Sequence, residues 1–282
     1  MTVRVVTDST AYLPVDVAEE SRLRTVALSV TLSGREGREG HDVSPADVAR
    51  ALAERRGTVT TSRPSPAEFI AAYQELFDAG ATAVVSVHLS ARLSGTHESA
   101  TLAAKDFGSR VAVVDSATAG MAVGFVALAA AEVAADGGDL DAARRAAEAA
   151  AERTTTLFYV DTLEFLRRGG RISAASAFVG TALSVKPILH VVNGEVVLRE
   201  KVRTAAKALA RMADLATEAA GGSDGDLAVQ HLEAADRATT LHAEVSARLG
   251  GRVRRSYLSE VGAVVAAHTG PGVIGVAVHR HA

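Results

Sequence analysis

The stretch "SVHLSARLSGTHESA", residues 86–100, decides how the first half of the chain folds. It joins an apolar β-branched run, "TAVVSV" (82–87), to "HESATLAAKDF" (97–107), which has a helical pattern. The loop between them is rich in Ser and Gly and contains Ser94, Gly95 and Thr96. A strand, a short loop and a helix predict one unit of a parallel sheet, and they place hydroxyl groups at the open N-terminus of the helix.

The same alternation continues on both sides of this loop. Strands are predicted at three stretches: "VRVVTDS" (3–9), "LRTVALSVTL" (23–32) and "RVAVVDS" (110–116). Helices are predicted at "SPADVARALAERR" (44–56) and "SPAEFIAAYQELFDAG" (65–80), because both begin with Ser-Pro and the second has a capping box of Ser65 and Glu68. The pattern predicts an α/β fold: an N-terminal three-layer domain with a mainly parallel sheet, over residues 1–153.

After about Arg153 the pattern changes. The stretch "KPILHVVNGEVVLREKVR" (186–203) predicts two strands joined at Asn193-Gly194, a strong short signal for a hairpin. Helices and strands then alternate to the end of the chain. Hairpins mixed with helices predict a C-terminal two-layer α+β domain with a mixed sheet, over residues 154–282.

Composition limits the class of protein. The 282 residues fit two domains, and 48% hydrophobic with 22% charged residues fit a soluble globular protein. A net charge of −3 gives no electrostatic indication of nucleic acid, and the absence of Cys excludes disulfides and thiolate chemistry. The first residues lack a secretory h-region, so we expect a cytoplasmic protein. The apolar stretch "GMAVGFVALAAAEVAA" (120–135) is too short to span a bilayer, so we expect a buried helix and no stable membrane insertion.

Several catalytic and cofactor motifs are excluded or weak. "GPGVIG" (270–275) matches a dinucleotide fingerprint, but it precedes a predicted strand rather than a helix, and no P-loop is present. Ser94, His268 and Asp115 are the residue types of a serine hydrolase, although the G-x-S-x-G elbow is missing. His279 and His281 have no obvious third ligand. We therefore expect no metal site and no cofactor, and we keep a hydrolase as the alternative.

Hydroxyl groups recur where helices are about to begin, which favours binding of a carboxylate or phosphate if the loops meet in space. These loops contain Thr60, Thr61 and Ser62, then Ser94 and Thr96, then His268 and Thr269. The alternative is that each hydroxyl only caps its own helix. A similar choice applies to the repeated Asp-Ser at residues 8–9 and 115–116, which either cap turns or line a crevice at the sheet edge.

At these residues the chain resembles the DegV family of bacterial fatty-acid-binding proteins. The motifs, in order, are "TDST", "TSRPSP", "LSGT", "VDS", "LRRGGRIS", "KPIL", "KVRT" and "HTGPG". The resemblance implies one DegV domain over about residues 3–281, with a long-chain fatty acid between the two halves. It assigns the fatty acid carboxylate to Thr61 and Ser94, and the other ligand-binding positions are Ser62, Gly95, Thr96, Arg203 and His268.

The resemblance also implies a function. The chain is expected to be a carrier rather than an enzyme, with no catalytic residue, that binds a palmitate-like fatty acid and presents it to an ATP-dependent fatty acid kinase. The expected tail-lining segments are "AVGFVALAA" (122–130) and "SAFVGTALSV" (176–185), and the protein is expected to be a monomer. Arg63 stands where the family more often has Gln. The arginines around Gly169-Gly170 are interpreted either as structural or as a docking patch for the kinase.

Overall fold

The computed structural model describes residues 2–54, 58–172 and 185–281. Strands in these ranges form three sheets. They are β1 (Val3–Asp8), β2 (Leu23–Val26), β3 (Ser29–Leu32), β4 (Arg35–Arg38), β5 (Val59–Ser62), β6 (Ala83–His88), β7 (Val111–Asp115), β8 (Thr154–Tyr159), β9 (Lys186–Val192), β10 (Glu195–Val202), β11 (Gly225–His231), β12 (Val253–Glu260) and β13 (Ile274–Arg280).

Some helices begin at a side-chain N-cap, which is Ser44, Ser65, Asp139 or Thr204. Ser44 with Asp47, and Ser65 with Glu68, form complete capping boxes, as the Ser-Pro starts predicted. The helices are α1 (Val15–Glu20), α2 (Pro45–Ala53), α3 (Pro66–Asp78), α4 (Thr96–Ala104), α5 (Met121–Ala135), α6 (Leu140–Glu152), α7 (Glu164–Arg168), α8 (Ala205–Ala220), α9 (Ala235–Leu249) and α10 (Ala263–Thr269).

The first sheet is parallel and buried on both faces. Its strand order is β2-β1-β6-β7. On one face, Phe69 and Tyr73 of α3 cluster with Val84. On the other face, Val126 of α5 clusters with Val85, and α6 completes that layer. Helices on both faces explain why the strands are continuous apolar runs, and they confirm the predicted three-layer arrangement.

The second sheet is mixed, with strand order β10-β9-β8-β13-β11-β12. Alternate residues of its strands point to opposite faces. Leu157 and Tyr159 pack under α8 and α9, whereas Phe158 belongs to a different cluster on the other face. That face also receives α5, because Phe125 clusters with Ala228. The predicted mixed sheet with one helical layer is confirmed, and α5 is buried between the two sheets.

A third, small sheet was missed by the sequence analysis. The stretch 23–32 is two strands rather than one, because β2 joins the parallel sheet while β3 pairs antiparallel with β4 and β5. Ser33 and Gly34 make the β3–β4 turn with positive φ values of 49° and 86°. The hydroxyl-rich segment before α3 is therefore the edge strand β5, not a loop. The strand is short and polar, so its pattern gave no clear signal.

Other sequence predictions have clear outcomes. Asn193 and Gly194 turn the β9–β10 hairpin with φ values of 50° and 79°. Residues 274–280 form a strand, as the rejection of a dinucleotide site required. Asp8 and Asp115 both accept backbone N–H groups of the following turns, which favours the capping interpretation. None of the described helices is long and apolar enough to cross a membrane. Residue 153 precedes β8, and a domain boundary there stays a prediction.

Candidate functional site

A cavity of about 490 Å³ lies between the small sheet, α7, α10 and the face of the mixed sheet that carries Phe158. That size is in the usual range for small-molecule sites. Its lining combines aliphatic side chains with a few polar ones. The described lining residues are Leu28, Thr61, Ser62, Arg63, Leu89, Leu93, Ser94, Gly95, Ala119, Gly120, Thr156, Phe158, Leu166, Arg171, Val191, Val196, Gln230, Val261, Val264, Val265, His268, Thr269, Val273 and Gly275.

The apolar part of the cavity is mostly Leu and Val. Phe158 is the one aromatic ring among the described apolar lining residues, so the apolar part of the lining is mainly aliphatic. Helix α5 was expected to line the tail, but its apolar residues are buried in the protein core. Only Ala119 and Gly120, which precede α5, reach the cavity. The other expected segment, residues 176–185, lies outside the described residues except for Val185.

Thr61 and His268 meet at the polar part of the cavity. Thr61 Oγ1 lies 2.8 Å from His268 Nε2, although the two residues are 207 positions apart. Thr61 is on β5, opposite Val30 of β3, and His268 is near the end of α10. Burial, together with the Arg171 cation, lowers the pKa of His268 to about 4. The imidazole is therefore neutral at pH 7.

Ser94 and Thr96 form a second polar pair, which consists of two hydroxyl groups. Ser94 Oγ lies 2.9 Å from Thr96 Oγ1 and accepts the Thr96 N–H at 3.3 Å. Ser94 lines the cavity, whereas Thr96 is fully buried behind it and does not. Gly95 has φ −74°, so left-handed strain does not require glycine there. A Cβ atom would instead lie 2.2 Å from Arg63 Nη1, so the glycine makes room for this arginine.

Arg171 is a functional candidate whose position the sequence analysis did not predict. It lines the cavity, and its guanidinium donates to the carbonyl of Leu93 at 3.2 Å and to that of Gly169. Gly169 also packs against His268, because a Cβ there would lie 2.3 Å from Nδ1. The Gly-Gly pair after α7 thus ends the helix and also lets the imidazole approach the backbone. The "RRGGR" motif was the available signal.

The remaining predicted residues lie at the edge of the site or outside it. Ser62 and Arg63 line the cavity but are exposed, and Arg63 pairs with Glu98. Arg203 is exposed and is not among the residues that line the cavity, and its assignment as a ligand-binding residue stays a prediction. Val196 lines the cavity near the start of β10, and Arg203 follows the end of that strand. At about 3.3 Å per residue, the two positions are roughly 20 Å apart.

The geometry does not join the residues of the alternative hydrolase. His268 Nε2 faces Thr61, Ser94 is paired with Thr96, and Asp115 accepts the N–H groups of Ala91 and Ala117. His268 Nδ1 has no hydrogen-bond partner in the described part of the chain, so no carboxylate there orients the ring.

A Ser–His–Asp chain does exist elsewhere, but it is inaccessible. Ser86 Oγ lies 2.7 Å from His88 Nε2, and His88 Nδ1 lies 3.1 Å from Asp8 Oδ2. All three side chains are fully buried, and Tyr73 donates to Ser86 at 2.8 Å. The network therefore has no route to a substrate and holds together β1, β6 and α3.

The C-terminal histidines have a third potential ligand that the sequence did not reveal. Asp226, His279 and His281 offer ligand atoms within 4.8 Å of one another. Cations already contact two members of this group, however. Arg255 donates to Asp226 Oδ2 at 2.6 Å, and Arg254 lies 2.9 Å from His281 Nδ1. The positive charges compete with a metal ion, and none of the three residues lines the cavity.

Comparison with known proteins places the chain in context. A family model described as "Uncharacterised protein, DegV family" matches residues 2–281. A DegV domain-containing protein of Streptomyces coelicolor is 50% identical over 276 residues, covering 98% of each chain. Protein DegV of Bacillus subtilis is 36% identical over 280 residues, again covering 98% of each.

Solved structures agree over the whole chain. One, described as fatty acid binding of a DegV family protein from Thermus thermophilus, superposes with a TM-score of 0.94 at 37% identity, covering 100% of both chains. Another, described as DegV, a fatty acid binding protein from Bacillus subtilis, has a TM-score of 0.90 at 35% identity and the same coverage. The arrangement of three sheets around the cavity is thus shared with proteins described as fatty acid binding.

Proposed function

The chain belongs to the DegV family, and from this membership and the cavity we propose that it binds one long-chain fatty acid and acts as a carrier. The observation that carries the proposal is an aliphatic cavity with Thr61, Ser94, His268 and Arg171 gathered at its polar part. A carboxylate placed there meets hydrogen-bond donors and a cation, while a hydrocarbon tail meets Leu and Val side chains.

The tail supplies most of the affinity in this proposal. Burial of a C16 tail at ~0.8 kcal/mol per methylene offers on the order of 12 kcal/mol before costs. Ordering the chain and losing its translational freedom cost several kcal/mol of that. A palmitate-like acid of about C14–C18 therefore has enough apolar surface to bind tightly. The polar groups contribute less and set the orientation.

In both polar pairs, Thr61 with His268 and Ser94 with Thr96, a second residue can leave the hydroxyl free to donate to the ligand. A carboxylate only accepts hydrogen bonds, so Thr61 and Ser94 must each turn their O–H toward it. Thr61 can do so when His268 Nε2–H donates to its oxygen, and Ser94 can do so when the Thr96 O–H donates to its oxygen. Neutral His268 and buried Thr96 thus act behind the hydroxyls that touch the ligand. Arg171 balances the negative charge.

Extraction of the lipid tests ligand binding most directly. Protein purified from its own host under non-denaturing conditions is analysed by native mass spectrometry, and the denatured protein is extracted for fatty acids. We expect one C14–C18 fatty acid per chain, and a higher melting temperature when palmitate is added to delipidated protein. Methyl palmitate, which lacks the carboxylate, is the control. Absence of fatty acid, together with no stabilisation by palmitate, refutes the proposal.

The carrier role is that of a cytoplasmic monomer that presents the carboxylate to a separate ATP-dependent kinase. The kinase would transfer the γ-phosphoryl group of ATP to the carboxylate, giving an acyl phosphate and ADP. Arg167 and Arg168 are at the end of α7, which contributes Leu166 to the cavity. An exposed basic helix end next to the cavity supports docking of an acidic partner surface.

Charge reversal tests the docking role. Arg168 pairs with Glu164 four residues earlier, and its side chain is 66% exposed. Arg168→Glu should slow acyl phosphate formation by the cognate kinase and leave palmitate affinity unchanged. Arg145→Glu is the matched control, because Arg145 forms the same type of pair with Asp141 on α6. Equal phosphorylation rates for the two variants contradict docking at α7.

A further inference from the structure

Helix α10 forms one wall of the cavity. Hydrogen bonds from its first turn connect it to the N-terminal half of the chain. Val264, Val265, His268 and Thr269 of this seven-residue helix all line the cavity. The N–H groups in the first turn of a helix have no partner within the helix. Side chains from a distant part of the sequence supply the partners here.

Three side chains, Ser9, Tyr12 and Glu39, form this attachment and are called the Glu39 cluster. Glu39 Oε1 accepts the Val264 N–H at 2.7 Å and the Tyr12 hydroxyl at 3.0 Å. The Tyr12 oxygen in turn accepts the Val265 N–H at 3.1 Å. Ser9 donates to Glu39 Oε2, completing the shell of the carboxylate.

The Glu39 cluster connects separate parts of the fold. Ser9 directly follows β1, and its hydroxyl accepts the N–H of Leu28, which precedes β3 and lines the cavity. Glu39 directly follows β4. One carboxylate therefore links the parallel sheet, the small sheet that carries Thr61, and α10, which carries His268.

The packing around this link is tight. Glu39 is only 4% exposed. At Gly262, which precedes α10, a Cβ atom would lie 2.2 Å from Tyr12 Cε1 and 2.5 Å from Glu39 Oε1. The backbone of α10 thus approaches the cluster as closely as a glycine permits, which leaves little freedom for the helix to slide.

We propose that Glu39 is a positioning residue for the carboxylate site: it fixes α10 so that His268 reaches Thr61. The effect on binding rests on the proposed fatty acid function, whereas the positioning of His268 by Glu39 does not depend on any ligand. His268 lies four residues after Val264, about one helical turn or 6 Å along the axis. On so short a helix, a shift or fraying at Val264 is carried directly to the imidazole.

Two substitutions separate hydrogen bonding from charge. Glu39→Ala removes every acceptor and leaves the Val264 N–H without a partner in a buried place. Glu39→Gln keeps Oε1 for Val264 and Tyr12, and its amide can donate to Ser9 after that hydroxyl rotates. If Glu39 acts by position, Gln should rescue the site and Ala should not.

The test uses the full chain, with three measurements on each variant. They are the Kd for a fluorescent fatty acid, the NMR signals of the His268 ring in delipidated protein, and amide exchange at residues 264 and 265. We expect Glu39→Ala to weaken binding tenfold or more, to shift the His268 signals and to speed amide exchange. We expect Glu39→Gln to stay within about threefold of the wild type. Glu36→Ala, at an exposed position of β4, is the control.

Each outcome has a definite meaning. Unchanged His268 signals in folded Glu39→Ala overturn the positioning role, whatever the affinity. If Glu39→Ala does not fold, Tyr12→Phe is the second variant: it removes the partner of the Val265 N–H and the hydrogen bond from Tyr12 to Glu39, while Glu39 keeps the Val264 N–H. This variant must shift the same His268 signals, or the positioning role is refuted. If the wild type binds no fatty acid, the proposed function fails while the ring signals and amide exchange still decide this inference.

Discussion

Replacing Thr61 by Val is the sharpest single perturbation of the carboxylate site. Val has the shape of Thr and the same preference for a strand, so β5 should be preserved while the hydroxyl is lost. In the wild type this hydroxyl lies 2.8 Å from His268 Nε2 and lines the cavity. The substitution removes one of the proposed donors to the carboxylate and leaves the imidazole without its acceptor.

The expected loss follows from the strength of hydrogen bonds to charged groups. Such a bond contributes ~1.5–3 kcal/mol in a buried site. At 1.4 kcal/mol per factor of ten, the Kd for palmitate should rise roughly 10- to 150-fold. Because His268 also loses its partner, the upper part of this range is expected. The tail contribution should not change, so dependence of the affinity on chain length should be retained.

The assay is displacement of a fluorescent fatty acid from delipidated protein, with palmitate as competitor. Thr61→Ser, which keeps the hydroxyl, should stay near the wild-type affinity. Thr60→Val is the matched control, because Thr60 is the preceding residue of the same strand and points to the opposite, exposed side. A Thr61→Val affinity within twofold of that of Thr60→Val would refute the reasoning and restrict this hydroxyl to a structural role.

Three further predictions follow from the same geometry. The pKa of His268 is about 4 in the folded protein and about 6.5 in the unfolded chain, so the unfolded chain binds more protons between these pH values. The free energy of unfolding should therefore fall as the pH drops from about 6.5 to about 4, and it should fall less in His268→Gln. Urea unfolding at pH 5 and pH 7 measures this difference. Gly275 faces the cavity opposite Phe158, and a Cβ atom there would make only ordinary van der Waals contacts. Gly275→Val should therefore favour shorter acyl chains at ~0.8 kcal/mol per displaced methylene, measured by competition among C12–C18 acids. Ser65→Ala should lower the free energy of unfolding by ~0.5–2 kcal/mol and leave fatty acid affinity unchanged, measured by denaturation and titration of the same preparation.

Local chemistry explains which parts of the fold could be predicted from the sequence. The capping box at Ser65, the positive φ values at Asn193-Gly194 and the apolar runs of β1 and β6 each depend on residues close in sequence. The small sheet could not be predicted in the same way. Its strand β5 has only four residues, three of which are Thr or Ser, and it pairs with β3, whose buried Val30 is far from β5 in sequence.

The site was predicted in part, for the same reason. Thr61, Ser94 and His268 were identified by residue type and by the family resemblance, and the structure brings them to one cavity. Their pairwise contacts were not predictable, because Thr61 and His268 meet across 207 positions. Arg203 is not among the lining residues, and a motif gives the order of residues along a strand but not which end of that strand faces the cavity.

Arg171 shows why charge and hydroxyls serve different purposes in this site. Burial, together with the Arg171 cation, lowers the pKa of His268 and keeps it neutral, so the imidazole can donate through Nε2 without adding a positive charge. A site with two cations would bind a carboxylate strongly as an ion pair and would release it slowly. The other arginine at this cavity, Arg63, is exposed and already pairs with Glu98. In the proposed function, Arg171 and the two hydroxyls therefore hold and orient the carboxylate and leave it accessible to a partner. On this basis Arg171→Gln should raise the Kd for palmitate and also raise the pKa of His268, whereas His268→Gln should leave the charge balance of the site unchanged, and NMR titration of the His268 ring in Arg171→Gln checks the coupling directly.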